Sequence, residues 1–249
     1  MRLSARCFAI TGLAYLPPWE VNAGFIAGGH TTLVVDTGAN ALAAATVHGY
    51  ASAVRPSNRV AVLNTEKHFD HIGGNSYFRD LGAEIYGHSL IARTADEFKA
   101  ERAEFRSVIA NASRRDRGEE DAFYHNTSLV NPNHGIDADT AIDLGDCTVH
   151  LLLTPGHTAT NISAWVPDDR ILYCGDCLTH LYLPNLDCGA APEWRQWLES
   201  LDRVERLDPC AIVPGHGPVA KHDDVGRIIE AVRRELELAI ALGRSPTSA

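Results

Sequence analysis

The sequence predicts an α/β fold of two similar halves packed sheet to sheet, with the chemistry at the strand ends. Three observations predict it. Strand-like apolar runs and amphipathic helical stretches alternate in each half of the 249 residues, with no linker between the halves. A composition of 45% hydrophobic and 22% charged residues suits one globular domain, residues 1–249, with a sizeable core. Finally, several apolar strands end at a glycine-marked turn beside a side chain able to hold a metal, the usual place for a site in such folds.

In chain order, Cys7 to Tyr15 alternates loosely and predicts a strand, Leu16-Pro17-Pro18-Trp19-Glu20 a turn, and Val21 to Ala27 a returning strand. Thr31 to Val35 is a third strand, ending at Asp36-Thr37-Gly38. Ala39 to Val54 is alanine-rich and helix-compatible, closed by Arg55-Pro56. A buried-type strand at 60–63 follows, then a helix from about Asn75 to Leu81 and a short strand over Glu84-Ile85-Tyr86-Gly87. Thr94 to Ser113 is amphipathic and charged, as in a helix; 114–120 is a charge run expected in a solvated loop or helix end. Ala122 to Gly135 is a polar-aromatic loop without periodicity, the kind of segment that carries specificity on a rigid scaffold. Strands return at 141–144, 148–153, 161–166 and 171–174. A helix over Glu193 to Leu207, a short strand at Ala211-Ile212-Val213 and a helix from Asp223 to Leu242 complete the chain.

The chemistry is concentrated in Asn64-Thr65-Glu66-Lys67-His68-Phe69-Asp70-His71-Ile72-Gly73-Gly74-Asn75. Two imidazoles and two carboxylates crowd just past the apolar Val60-Ala61-Val62-Leu63, where they must be paired or bound to something. Thr154-Pro155-Gly156-His157-Thr158, Cys174-Gly175-Asp176-Cys177 and Pro214-Gly215-His216-Gly217 each add one metal-capable side chain at a strand end. Asp36 is placed to orient a ligand histidine or to cap its turn. Cys174-x-x-Cys177 has redox spacing, but Asp176 between the two explains the turn better than a dithiol does.

Other classes of function are disfavoured. A net charge of -10 argues against nucleic acid, whose phosphates need Lys and Arg, and against acidic membranes. No run reaches the roughly 18 apolar residues of a membrane helix. The N-terminal stretch lacks the apolar core of a secretory signal, so a cytoplasmic protein is expected. Six cysteines follow no evenly spaced framework and are expected to be reduced.

On Asp36-Thr37-Gly38, the Glu66–His71 stretch, His157, Asp176 and Pro214-Gly215-His216-Gly217, the chain resembles the metallo-β-lactamase-fold hydrolases over nearly its whole length. Pro155-Gly156-His157-Thr158-Ala159-Thr160-Asn161, with Trp165-Val166-Pro167 and Asn185-Leu186, is similar to the zinc β-lactamases. The resemblance implies an αββα sandwich of two mixed sheets flanked by helices. It also implies two divalent ions, zinc first, with manganese or iron acceptable. One ion would take Glu66, His68 and His157, the other Asp70, His71 and His216, with Asp176 bridging. Water on such an ion has its pKa drawn from about 16 toward ~7 and attacks an acyl carbonyl. The implied activity is hydrolysis of a small lactam, lactone, ester, amide or thioester.

The departures are informative. The family opens with His-x-His-x-Asp-His, and here Glu66 stands at the first histidine. The nearest zinc β-lactamases carry cysteine at the position of Asp176 and lysine at that of Thr179, so weak or absent β-lactam hydrolysis is expected. Ligating Glu66 lowers the summed charge of two cations, Asp70, Asp176 and hydroxide from about +1 to about zero, and more oxygen donors soften the preference for zinc. Asp70 and Glu66 are thus taken as catalytic as well as metal-binding. Glu66 acts either as a ligand, as its alternation with His68 favours, or as a general base beside a single ion. Trp19, His125, His180 and Asn185 are candidates for touching substrate. An iron-dependent oxidoreductase of the same fold is the alternative activity.

Overall fold

Val34 and Val62 pack outward beneath a helix, while their neighbours Leu33, Val35, Ala61 and Leu63 pack inward against a second sheet. That period of two, repeated along each strand, produces a layered molecule. The computed structural model describes residues 1–14, 20–113, 123–187 and 189–246; the turn with Trp19 and the charge run over 114–120 fall outside them. Among the described residues the first sheet holds β1 (Cys7–Ala14), β2 (Glu20–Ala27), β3 (Thr31–Val35), β4 (Arg59–Leu63), β5 (Glu84–His88) and β6 (His134–Ile136), side by side in chain order. The second holds β7 (Thr140–Asp143), β8 (Thr148–Leu153), β9 (Ile162–Val166), β10 (Ile171–Thr179), β11 (Ala211–His216) and β12 (Ala220–Lys221), also in order. The first sheet is antiparallel from β1 to β3 and parallel from β3 to β6. The second is antiparallel except where β11 runs parallel to β10.

Between the sheets Leu33, Val35 and Leu63 meet Leu151, Ile162, Ala164, Tyr173 and Val213. Outside the first sheet lie α1 (Ala41–Val54), α2 (Phe69–Ile72), α3 (Asn75–Asp80) and α4 (Ala95–Ser113). Ala43, Ala44 and Val47 of α1 cover Val34 and Val62, and Asn40 caps this helix by accepting the Ala43 N–H at 2.7 Å. Outside the second sheet, α5 (Ala191–Arg206) and α6 (Asp223–Leu242) press Trp197, Leu201, Val204, Val232 and Leu236 onto Leu172 and Ile212. Pro192 suits the first turn of α5, and Gly243 at φ 67° ends α6.

Four local features differ from the sequence expectation. The helix after β4 begins inside the central stretch, so Asp70 and His71 sit on α2. β10 continues to Thr179, through Asp176, after a break in register at Gly175. Residues 134 and 135, expected at the end of a loop, join Ile136 in β6 alongside β5, and β12 pairs with β11. β6 and β12 are too short for periodicity to reveal; the strand beside each gives it extended form.

Candidate metal centre

The C-terminal ends of β4, β8 and β11, together with Asp176 within β10, meet at one edge of the sandwich. Contacts between the sheets hold that edge in register. The Ile162 N–H donates to the Thr65 carbonyl at 2.7 Å, and the Asn22 side-chain amide donates to the carbonyls of Pro214 and Gly217. Gly215 makes room for the carboxylate beside it: a Cβ there would lie 1.8 Å from Asp176 Oδ1.

All seven residues named as metal ligands from the sequence converge. Donor atoms of Glu66, His68 and His157 lie within 4.8 Å of one another, as do those of Asp70, His71 and His216, and those of Glu66, His71 and Asp176. Glu66 Oε1 is 2.9 Å from His68 Nδ1, 3.3 Å from His71 Nε2 and 3.8 Å from His157 Nε2. Asp176 stands between the groups, with Oδ1 3.4 Å from His71 Nε2 and Oδ2 3.4 Å from His216 Nε2 and 3.6 Å from His157 Nε2. Asp70 Oδ2 lies 3.2 Å from His216 Nε2.

Three of the histidines are oriented by hydrogen bonds on the far side of the ring. His71 Nδ1 donates to Asp36 at 2.9 Å, His157 Nδ1 to the Asn185 carbonyl at 3.0 Å and His216 Nδ1 to the Glu20 carbonyl at 2.7 Å. Carbonyl and carboxylate oxygens only accept, so each Nδ1 carries a proton and each Nε2 faces the cluster, where it offers a lone pair to a metal once deprotonated. His68 turns Nδ1 inward instead, 3.1 Å from His157 Nε2. Asp36 also accepts the Thr65 N–H and hydroxyl, at 2.8 and 2.7 Å, so it both orients His71 and ties the loop.

The electrostatics are those of charges gathered out of water. Burial pushes the Asp70 carboxyl up, but His71 and His216 outweigh it and hold it at about 2. In Asp176 and Glu66, too, burial is overcome by neighbouring imidazoles, and both carboxyls are held low. His71 and His216 would be lowered by burial alone; the carboxylates around them, with Asp36 and Asp176 foremost, hold both well above the ordinary imidazole range. Glu66 Oε2, His71 Nε2 and Asp176 Oδ1 are buried with no hydrogen-bond partner. Native interiors rarely tolerate such orphans, and three together fit a cation shared by imidazole and carboxylate donors.

The residues proposed to touch substrate are placed differently. His180 lies beside the site, its backbone N–H donating to the His216 carbonyl at 3.0 Å and Nδ1 to the Pro218 carbonyl at 2.8 Å. Asn185 is exposed; its carbonyl holds His157, while its side chain accepts the Asp187 N–H at 2.9 Å. His125 is exposed on the loop after Tyr124. Thr179 Oγ1 donates to the Tyr182 carbonyl at 3.0 Å. Cys174 and Cys177 are fully buried, and burial raises both thiols, Cys177 to about 12, which leaves them without thiolate character. Sequence reasoning missed Glu20 and Asn185 as carbonyl supports, because a backbone oxygen leaves no residue-type signal. Another cleft, about 450 Å³ and lined by Asp143, Asp146, Cys147, His150 and Asp168, lies at the opposite end of β8.

Comparison with known proteins agrees with this geometry. The family model of the metallo-beta-lactamase superfamily matches residues 16–216. A protein of Bacteroides fragilis named metallo-beta-lactamase type 2 is 21% identical over 222 residues, covering 87% of this chain and 78% of its own. Beta-lactamase-like protein 2 homolog of Caenorhabditis elegans is 29% identical over 104 residues, 42% of this chain and 32% of that protein. Hydroxyacylglutathione hydrolase of Methylococcus capsulatus is 29% identical over 147 residues, 59% of this chain and 43% of that protein. The match thus spans about a third of the nematode relative and under half of the Methylococcus one. Among solved structures, a metallo-beta-lactamase family protein from Thermus thermophilus superposes with a TM-score of 0.70 at 23% identity, covering 97% of this chain and 84% of that one. A metallo-beta-lactamase from Pontibacter korlensis gives 0.68 at 16% identity, over 95% and 97%. At these identities the likeness is one of fold, the same two mixed sheets between helices. The chain belongs to the metallo-beta-lactamase superfamily.

Proposed function

We propose that this chain is a metal-dependent hydrolase that uses metal-activated water on a small acyl substrate. The observation that carries the reading is the set of inward-facing imidazole nitrogens around the orphaned oxygens of Glu66 and Asp176. Two divalent ions suit the groups: Glu66, His68 and His157 for one, Asp70, His71 and His216 for the other, with Asp176 between them. Bound there, such ions lower the pKa of coordinated water toward ~7 and polarise an acyl carbonyl. The protein's share is placement. Asp36, Asn185 and Glu20 hold each Nε2 on target, and burial keeps bulk water from competing for the ligands.

Glu66 is fully buried with Oε1 against the imidazoles of both groups, which supports a ligand over a general base working on solvent. Zinc is the first candidate, with manganese or iron made more acceptable by the three carboxylates. Those carboxylates are also what keeps an iron-dependent oxidoreductase as the second reading. An aspartate at 176 and the likeness to a hydroxyacylglutathione hydrolase support esters and thioesters over lactams. At 179, a threonine engaged with Tyr182 stands where the zinc β-lactamases the sequence resembles carry lysine, which supports weak β-lactam turnover.

Elemental analysis of purified protein, combined with a panel of lactam, lactone, ester and thioester substrates, tests the proposal. Two equivalents of metal and thioester or ester turnover abolished by chelation are expected. Full turnover by metal-stripped protein would falsify the reading, and coloured protein carrying iron without hydrolysis would move it to the oxidoreductase.

A further inference from the structure

Central to the site is a turn whose own backbone needs support. His68 lies between the Lys67 carbonyl and the Phe69 N–H, and side chains from outside the sheets satisfy both groups. Arg93 Nη1 donates to the Lys67 carbonyl at 2.8 Å, and Glu101 Oε1, on α4, accepts the Phe69 N–H at 3.1 Å. Arg93 Nη2 joins the two supports by donating to Glu101 Oε2 at 2.5 Å. The backbone of Arg93 is itself held on both sides of its Cα: Asn131 Oδ1 accepts its N–H, and Asn131 Nδ2 donates to its carbonyl, each at 3.0 Å.

This pair differs from the molecule's other arginine–carboxylate contacts. Its side chains are 12% and 17% exposed, the most shielded such pair among the described residues, against 74% and 47% for Arg227 and Asp224. Exposed pairs contribute little to stability, whereas shielded, charge-assisted bonds to backbone fix geometry. The peptide planes on either side of His68 set the direction of its Cα–Cβ bond. A rotation of either plane would swing Nδ1 away from its place 3.1 Å from His157 Nε2.

We infer that Arg93 and Glu101 are positioning residues for His68, clamping the ligand turn through its backbone and linking it through Asn131 to the loop that follows Phe123. The inference rests on the metal-centre reading above and extends it to two residues that reach the ligand turn through its backbone. Neither the spacing of Arg93 and Glu101 nor their residue types mark them in the sequence.

Zn²⁺ retention against a chelator, the visible spectrum of Co²⁺-loaded protein and the melting of metal-free protein test this in the parent, Glu101→Ala, Glu101→Gln and Arg93→Lys. Glu101→Ala is expected to weaken Zn²⁺ retention at least about tenfold, the usual cost of losing support behind a ligand, and to alter the Co²⁺ bands. Glu101→Gln keeps an acceptor for the Phe69 N–H and is expected to recover part of the loss. A purely structural pair would lower melting without changing the Co²⁺ spectrum or the affinity of the folded fraction, and that result overturns the inference. If Glu101→Ala does not fold, Arg93→Lys decides: retention and spectrum equal to the parent's overturn the inference, and a loss of either supports it. Parent protein that binds neither Zn²⁺ nor Co²⁺ overturns the metal reading itself. Binding in the parent with equal binding in the folded variants overturns the clamp alone.

Discussion

The two halves of the molecule bring their candidate ligands to the same edge by opposite means. In the first half, Glu66, His68, Asp70 and His71 lie within six residues, on one turn and the short helix α2, and side chains hold them there: Asp36 behind His71, Arg93 and Glu101 around His68. In the second half, His157, Asp176 and His216 come singly from three strands: past the end of β8, within β10 and at the end of β11. Backbone carbonyls hold the two imidazoles, and the absent side chain of Gly215 makes room for the carboxylate. A dense local motif depends on the polar neighbours that fix its backbone and its rings. A dispersed set depends on steric clearance and strand register, which point substitutions on the surface scarcely affect.

Several substitutions would break or sharpen this contrast. Replacement of the carboxylate shared by both halves, Asp176→Ala, should have the largest effect. Loss of bound metal by elemental analysis and a fall in turnover of at least about 100-fold are expected, beyond the usual range for a supporting residue. Asp36→Asn removes the charge behind His71 and should cost metal affinity about 10–100-fold, read by chelator competition, with the fold intact by circular dichroism. Gly215→Ala tests the second half's reliance on space. Its methyl would overlap Asp176 Oδ1, so a destabilisation of about 1–3 kcal/mol in denaturant titration is expected, together with weaker metal binding.

The dependence on pH should separate metal-free from metal-loaded protein. In the metal-free site, His71 and His216 have folded pKa values raised above the ordinary 6.5. Their stabilising contribution is therefore complete below that value and is lost as pH rises through the raised ones. Asp70, Asp176 and Glu66 are held low, so their contribution is present above the ordinary carboxylate range and lost in acid. Metal-free protein should thus melt lower as pH climbs above neutrality. Loaded protein should not, since metal and protons compete for the same nitrogens. Identical melting profiles with and without metal would contradict the placement of ions among these histidines. The smallest effect is expected for His125→Ala: exposed on the loop after Tyr124, it should change turnover by no more than about twofold.

Much of this was legible in the residues. The strand at 60–63, the helix over Asp223 to Leu242 and the strand over Thr148–Leu153 follow from hydrophobic period and turn residues, which act over a few neighbours. The metal-capable groups were visible because carboxylates and imidazoles beside an apolar run have few alternative explanations. The short strands β6 and β12 were not visible, because two or three residues carry no period and only a partner strand gives them extended form. Asn185 illustrates the finer limit. Its side chain drew attention to the segment, but its carbonyl orients His157, and every residue type has a carbonyl.

The sequence by itself determined which residue types stand near the strand ends, including Glu66 two residues before His68, and the local periods that build the two sheets. Only the tertiary structure decided which nitrogen of each imidazole faces the cluster, that Glu66 touches histidines of both groups, and that Arg93 and Glu101 grip the turn between them. The physical reason is that propensity and hydrophobic period act over a few residues, whereas a hydrogen bond's direction depends on an acceptor brought near from anywhere in the chain.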